Sequence, residues 1–251
     1  MHKITILLST LMSLAFRDFD CNCNQPAQST EPPSQPPANS YAYYPFNGNT
    51  NDVSGNAHHG MPVGNPVLTH DRFGRRDSAY QLNGIDQYII LPAFGISSDL
   101  SVSFWIKTTA SDPNTFPSGT FIVDRDVGGL TRDWSVCLGS GAQIQFNTGT
   151  TSSENIVSSD SSVNNDAWNH VVVVRNTSLS WKGIYINGTL NKSGGFDNGS
   201  FTNSSASICI GACGIAPAAH HCYNGLIDDV RIFSRALTAS EINTLYHEGG
   251  W

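Results

Sequence analysis

The stretch Tyr43 to Gly60, YYPFNGNTNDVSGNAHHG, sets three aromatic rings in four residues ahead of a run of oxygen-bearing side chains. A hard divalent cation needs about six to eight oxygens gathered by a loop, and Asn, Asp, Ser and Thr supply them. The same residue types build ordinary turns. The stretch is therefore either a cation loop at the mouth of a folded sheet or a solvated connection. His58 and His59 belong to the loop rather than to a ligand set, because calcium takes oxygen and no second histidine pair stands at a matching spacing.

Sulfur is the other chemistry. Of six cysteines, Cys137, Cys209, Cys213 and Cys222 lie in the part with apolar patterning, and an even number in an exported chain favours disulfides. In WSVCLG the apolar Trp134, Val136 and Leu138 share one face and leave Cys137 on the other; in SICIG, Ile208 and Ile210 do the same for Cys209. Among the three possible pairings these faces favour Cys137 with Cys209, and Cys213 with Cys222 closing a short loop. A zinc site on His220, His221 and Cys222 is the rival, weakened because adjacent residues make poor joint ligands and the usual CxxC pairs are absent.

The elements that must position these groups are strands. Only 13% of the 251 residues are charged, against 39% hydrophobic, and Gly, Asn, Ser and Thr fill the polar positions. That suits short strands joined by many turns. Apolar or alternating runs recur at 41–46, 78–82, 88–91, 100–107, 120–123, 134–138, 143–146, 170–175, 181–186, 208–210 and 225–233, which predicts an all-β sandwich or barrel. One helix is signalled at the end, in LTASEINTLYHEGG. Thr238 and Glu241 form a capping box, Ile242, Leu245 and Tyr246 share a face, and Gly249 and Gly250 stop it.

Residues 1–20 read as a signal-like apolar segment, with export cleavage after Ala15, lipidation at Cys21 or retention as the alternatives. Residues 21–40, rich in Pro, Gln and Ser, read as an extended linker, and 41–251 as the folded domain. A net charge of −7 without clustered Lys and Arg excludes a nucleic-acid partner.

Six blocks carry a family resemblance: YYPFNGNTNDVSGNAHHG, DRFGRRDSAYQLNGIDQYIIL, LSVSFWIKT, DAWNHVVVVR, GIYINGTL and YNGLIDDVRIFSRALTASEINTLY. Their order resembles the laminin-G-like jelly roll of the concanavalin A-like lectin/glucanase superfamily. The resemblance implies a jelly-roll β-sandwich of two antiparallel sheets with one short C-terminal helix. It also implies a structural calcium ion between the first and last strands, held by Asp52 and Asp228 with Asn47 or Asn49. Alternation with Val230 and Ile232 puts Asp228 on the inward face and Asp229 toward solvent.

Glucanases of this fold place their carboxylates close together, as in Glu-x-Asp-x-x-Glu, and nothing in the chain matches. Asp124 to Asp126 is the nearest acidic cluster and reads as a solvated turn; no nucleophile elbow or phosphate loop occurs. The expectation is a secreted or surface-attached, non-catalytic module that binds a glycan or a protein. Trp181 and Trp251 are the ligand-stacking candidates, since Trp105, Trp134 and Trp168 fall in core blocks. The alternative is a homopolymeric extracellular fibre in which the apolar N-terminal segment is donated to a neighbouring jelly roll.

Overall fold

The computed structural model describes residues 39–96, 98–125, 133–149, 154–195, 199–201, 206–214 and 221–251. The segment expected to be a signal or a donated strand, and nearly all of the linker, lie outside the described residues. The strands in chain order are β1 (Ala42–Tyr44), β2 (Met61–Val63), β3 (Val67–Thr69), β4 (Ala79–Asn83), β5 (Tyr88–Leu91), β6 (Leu100–Lys107), β7 (Thr120–Asp124) and β8 (Trp134–Leu138). They continue as β9 (Gln143–Gly149), β10 (Glu154–Ser162), β11 (Asn169–Asn176), β12 (Trp181–Ile186), β13 (Thr189–Gly195), β14 (Ile208–Ile210) and β15 (Asn224–Phe233). The helix α1 (Ala239–Tyr246) follows, then a short 3-10 turn over Glu248–Gly250.

Two antiparallel sheets face each other, as the resemblance implied. The first has the order β13-β12-β11-β6-β15-β4-β3, with β1 also paired to β15; the second runs β10-β9-β8-β7-β14-β5-β2. Strand β6, LSVSFWIK, shows how alternation builds the sandwich. Leu100, Val102, Phe104 and Ile106 enter the core between the sheets, so Ser101, Ser103 and Trp105 face outward. Strand β11 is apolar on both faces because both are covered. Val171 and Val173 join the main core, while Val172 and Val174 join a second cluster with Tyr185, Phe233, Leu237, Ile242 and Leu245.

That second cluster is where α1 lies on the outer face of the first sheet. Its capping box forms as expected: the Thr238 hydroxyl accepts from Glu241 N, and the Glu241 carboxylate accepts from Thr238 N at 2.8 Å. Ile242 and Leu245 are buried. Tyr246 stacks on Trp105, ring centroids 5.8 Å apart.

The structure corrects three expectations. Cys137 and Cys209 do point away from the core, but strand β7 runs between them. Cys137 stands opposite Phe121 and Cys209 opposite Asp124, further along the same strand. Two inter-strand spacings of about 4.8 Å and that offset exceed the Cα separation of about 7 Å that a disulfide can span. All four cysteines of the domain are thiols in the structure.

Asp228 is buried, yet not on the inward face. A bulge between Asp228 and Arg231 inserts a residue, with Asp229 in the left-handed region at φ 47°. Ile227 and Val230 both enter the core, and Asp228 pairs with the outward-facing Trp105. Asp229 is not turned to solvent either; its side chain is only 12% exposed. Finally, Asp124 and Arg125 are no solvated turn: they are 0% and 1% exposed, at the end of β7. Asp126 lies outside the described residues.

Candidate functional site

Strand β12 sets Trp181, Gly183 and Tyr185 on the outer face of the first sheet. Gly183 offers no side chain, and the Trp181 indole lies over it: a Cβ at 183 would come 2.3 Å from the indole Cη2. Tyr185 meets the indole edge-on, with centroids 6.5 Å apart. The β11–β12 turn on one side, and the chain from Ala236 to Thr238 on the other, enclose a cleft of about 350 Å³ lined by Val174, Asn176, Leu179, Trp181, Ala236, Leu237 and Thr238. Leu179 at its lip is 71% exposed.

Asn176 is the polar element of this cleft. Its Oδ1 accepts from the hydroxyl of Ser178 at 2.8 Å and from the N–H of Leu179 at 3.1 Å. The carboxamide is thereby fixed, and its N–H₂ group makes no hydrogen bond among the described residues. A flat apolar ring beside an oriented donor is what the C–H face and hydroxyls of a sugar require.

Trp251 does not share this cleft. It packs edge-on against Trp105, centroids 5.1 Å apart, and against Phe73 at 6.1 Å. Trp105 also carries Tyr246, the last residue of α1, whereas Thr238 at the helix start borders Trp181. The two tryptophans expected to stack ligand therefore lie at opposite ends of the helix.

The four residues expected to hold calcium do not converge. Asp52 organises its own loop. Its Oδ1 accepts the N–H groups of Tyr43 (2.9 Å) and Ser54 (2.8 Å), and its Oδ2 accepts the N–H of His58 (2.9 Å) and the hydroxyl of Ser54 (2.9 Å). Burial pushes its pKa up, but these donors outweigh it and hold the carboxyl below the usual range. Asn49 caps the same loop, accepting the N–H of Asn51 at 2.8 Å. Asn47 lines a separate, polar recess with Arg72 and Asp229.

Asp228 meets a guanidinium. Arg72 Nη1 lies 3.1 Å from Asp228 Oδ2 and 2.6 Å from Asp229 Oδ2. The Arg72 side chain is held between the rings of Phe73 and Trp105, 4.4 and 4.5 Å from their centroids. Asp229 also accepts the Tyr43 hydroxyl at 2.7 Å. Beside it Arg231 covers the Tyr43 ring at 3.9 Å and makes a two-pronged pair with Glu248 at 2.6 and 2.9 Å. Burial and the neighbouring Asp229 push the Asp228 pKa up to about 8, against the pull of Arg72. A calcium ion shared by Asp52 and Asp228 does not fit this donor set: the first carboxylate is filled by protein N–H and O–H groups, the second by a cation the chain provides. No group of three or more His, Cys, Asp or Glu able to hold a metal occurs among the described residues. His220 of the rival zinc set lies outside them.

The glutamates are likewise engaged. Glu241 serves the helix cap and Arg235, which holds its pKa near 2; Glu248 pairs with Arg231, and Glu154 accepts from Asn147 at 2.8 Å.

Residues 83–243, more than half of the chain, match the Laminin_G_3 model of the concanavalin A-like lectin/glucanases superfamily. The chain belongs to this family. None of the curated proteins matches it. Among solved structures it is similar to domain 4 of AbnA, a GH43 extracellular arabinanase from Geobacillus stearothermophilus, in complex with arabinotriose. Identity there is 25%, coverage 83% of this chain and 98% of that one, and the TM-score 0.63. The binding domain of botulinum neurotoxin DC in complex with rat synaptotagmin II aligns at 20% identity over 83% of this chain and 51% of that one, with a TM-score of 0.65. The binding domain of Paraclostridial Mosquitocidal Protein 1 aligns at 22% identity over 78% and 49%, with a TM-score of 0.60. The chain spans about half the length of these toxin domains, and at such identities they share its fold alone. Among the described residues no helix is long and apolar enough to cross a membrane.

Proposed function

We propose that this chain is a non-catalytic, extracellular recognition module for oligosaccharides, with the Trp181 cleft as its binding surface. The observation that carries the reading is the indole packed over Gly183 beside the fixed amide of Asn176. The arabinotriose complex of the AbnA domain supports the ligand class, because that domain is matched over nearly its whole length. A volume of about 350 Å³ is at the small end of ligand sites, so one or two sugar rings, rather than a long chain, are gripped. Non-catalysis is supported by the engagement of Glu241 and Glu248 in ion pairs.

The test is affinity electrophoresis of the full chain against a polysaccharide panel that includes arabinan, with release of reducing ends measured in parallel. Retardation by at least one polysaccharide without sugar release, abolished by Trp181→Ala, is the expected result. Release that survives purification, or retardation that Trp181→Ala leaves unchanged, would overturn the reading.

A further inference from the structure

We propose that Leu179 is a second ligand-contacting residue of the Trp181 cleft, and that Asp99, which does not line the cleft, is the residue that positions it. The proposal rests on the oligosaccharide reading of that cleft. Residues 177–180 join β11 to β12, with Asn176 paired to Trp181 at the base of the hairpin. The loop backbone is fixed at both ends. The Thr177 carbonyl accepts the Ser180 N–H at 3.2 Å, with Ser180 in the left-handed region at φ 47°, and Asn176 Oδ1 accepts from Ser178 and Leu179.

Leu179 is the one apolar side chain of this loop, and it lines the cleft while 71% exposed. A lone exposed leucine is ordinary on a protein surface. This one faces a site on a backbone already held in place, so a ligand that covers it gains apolar contact without paying to order the loop. A sugar ring entering between Leu179 on one side and Ala236 and Leu237 on the other meets carbon on both sides, with the Asn176 amide at its polar edge. The Thr238 hydroxyl is taken by Glu241.

Asp99 stands just before β6. Its Oδ1 accepts both the N–H of Thr177, at 2.9 Å, and the Thr177 hydroxyl, at 2.5 Å. One carboxylate oxygen from the adjacent strand thereby fixes the first residue of the loop that carries Leu179. A second tie, from Arg175 Nη1 to the Ser98 carbonyl at 2.5 Å, holds the end of β11 independently. Loss of the Asp99 carboxylate therefore loosens the loop rather than the strand.

The test is affinity electrophoresis of the full chain in arabinan, xylan and β-glucan, read on the polysaccharide that retards it most. Leu179→Ala should weaken binding about tenfold at an unchanged Tm, because the leucine is covered only in the complex. Asp99→Ala should weaken it to a similar degree, and Asp99→Asn, whose carbonyl oxygen still accepts both Thr177 donors, should restore it. The double variant Asp99→Ala with Leu179→Ala should bind no more weakly than the weaker single variant, since both changes remove the same contact. Unchanged affinity in Leu179→Ala, or losses that multiply in the double variant, would overturn the proposal. Trp181→Ala with full retardation sinks the reading beneath it instead, and no retardation by any of the three polysaccharides sinks both.

Discussion

Arg72 Nη1 lies 3.1 Å from Asp228 Oδ2 across 156 residues of sequence, and both side chains are almost wholly buried. The pair, extended to Asp229, is the cation and anion of one cluster on the outer face of the first sheet. Removing the cation leaves the buried Asp228–Asp229 acidic pair without its counter-ion, so Arg72→Ala should cost about 3–5 kcal/mol of folding stability in urea denaturation. Because the chain supplies its own cation here, adding calcium or a chelator should give the same melting temperature. A rise of several degrees with calcium would show that the oxygens of the 47–60 loop gather an ion after all.

The cluster also gives stability a two-sided dependence on pH. Asp228 has its folded pKa raised to about 8, mainly by burial. Its contribution is fully present below the unfolded value of about 4 and is lost as pH rises toward 8. His170, on β11 and separated from Asp228 by β6, has the opposite sign. Burial, with Arg72 and Arg231 adding, depresses it from 6.5 to about 3, so its contribution is present above 6.5 and is lost as pH falls. Melting curves should therefore show Asp228→Asn flattening the alkaline decline between pH 5 and 8, on the order of the window set by the raised pKa. His170→Phe should flatten the acid decline and leave the alkaline side unchanged.

What the sequence discloses of this fold follows the burial of each strand. The strands that alternation does not reveal are β2, β3, β10 and β13, and these are the four outermost strands of the two sheets. Met61 and Val67 on the first two are 58% and 59% exposed, and β10 reads ENIVSSDSS. An edge strand with no fully buried face has no reason to keep a period of two. The inward placement of Asp228 failed for a different reason. Counting faces backward from Val230 assumes a regular strand, and the bulge at Asp229 breaks the count. Two adjacent aspartates in an otherwise apolar run are the available signal, because Asp tolerates the left-handed region that a bulge needs. Nothing in local spacing links Arg72 to Asp228, whereas the Thr238 capping box was legible because its partners are three residues apart.

Lys182 is fully buried between the sheets although it sits on a strand next to the candidate cleft. Its ammonium donates to the carbonyls of Phe146 (3.2 Å) and Asn155 (2.5 Å) and to the Thr148 hydroxyl (3.1 Å), which ties β12 of one sheet to β9 and β10 of the other. Lys182→Met keeps the apolar stem but leaves those acceptors unmet, and should cost about 1–3 kcal/mol by urea denaturation. A neutral result would mean that water replaces the ammonium at no cost.

Trp181 and Trp251 lie at opposite ends of α1, so their substitutions should separate binding from stability. Trp251 closes over Trp105 and Phe73, and Trp251→Ala should lower stability by about 1 kcal/mol through two lost aromatic contacts while leaving polysaccharide retardation unchanged. Trp181 is only partly buried, and Trp181→Ala should abolish retardation with a stability loss of similar size. Gly183→Val is the sharper variant, because it keeps the tryptophan and displaces it: the indole occupies the space a Cβ would need. Binding should fall at least tenfold in that variant, a loss of about 1.4 kcal/mol or more. Full affinity with valine at 183 would mean that the indole stacks ligand equally well when moved, and would remove the placement over Gly183 from the account of recognition.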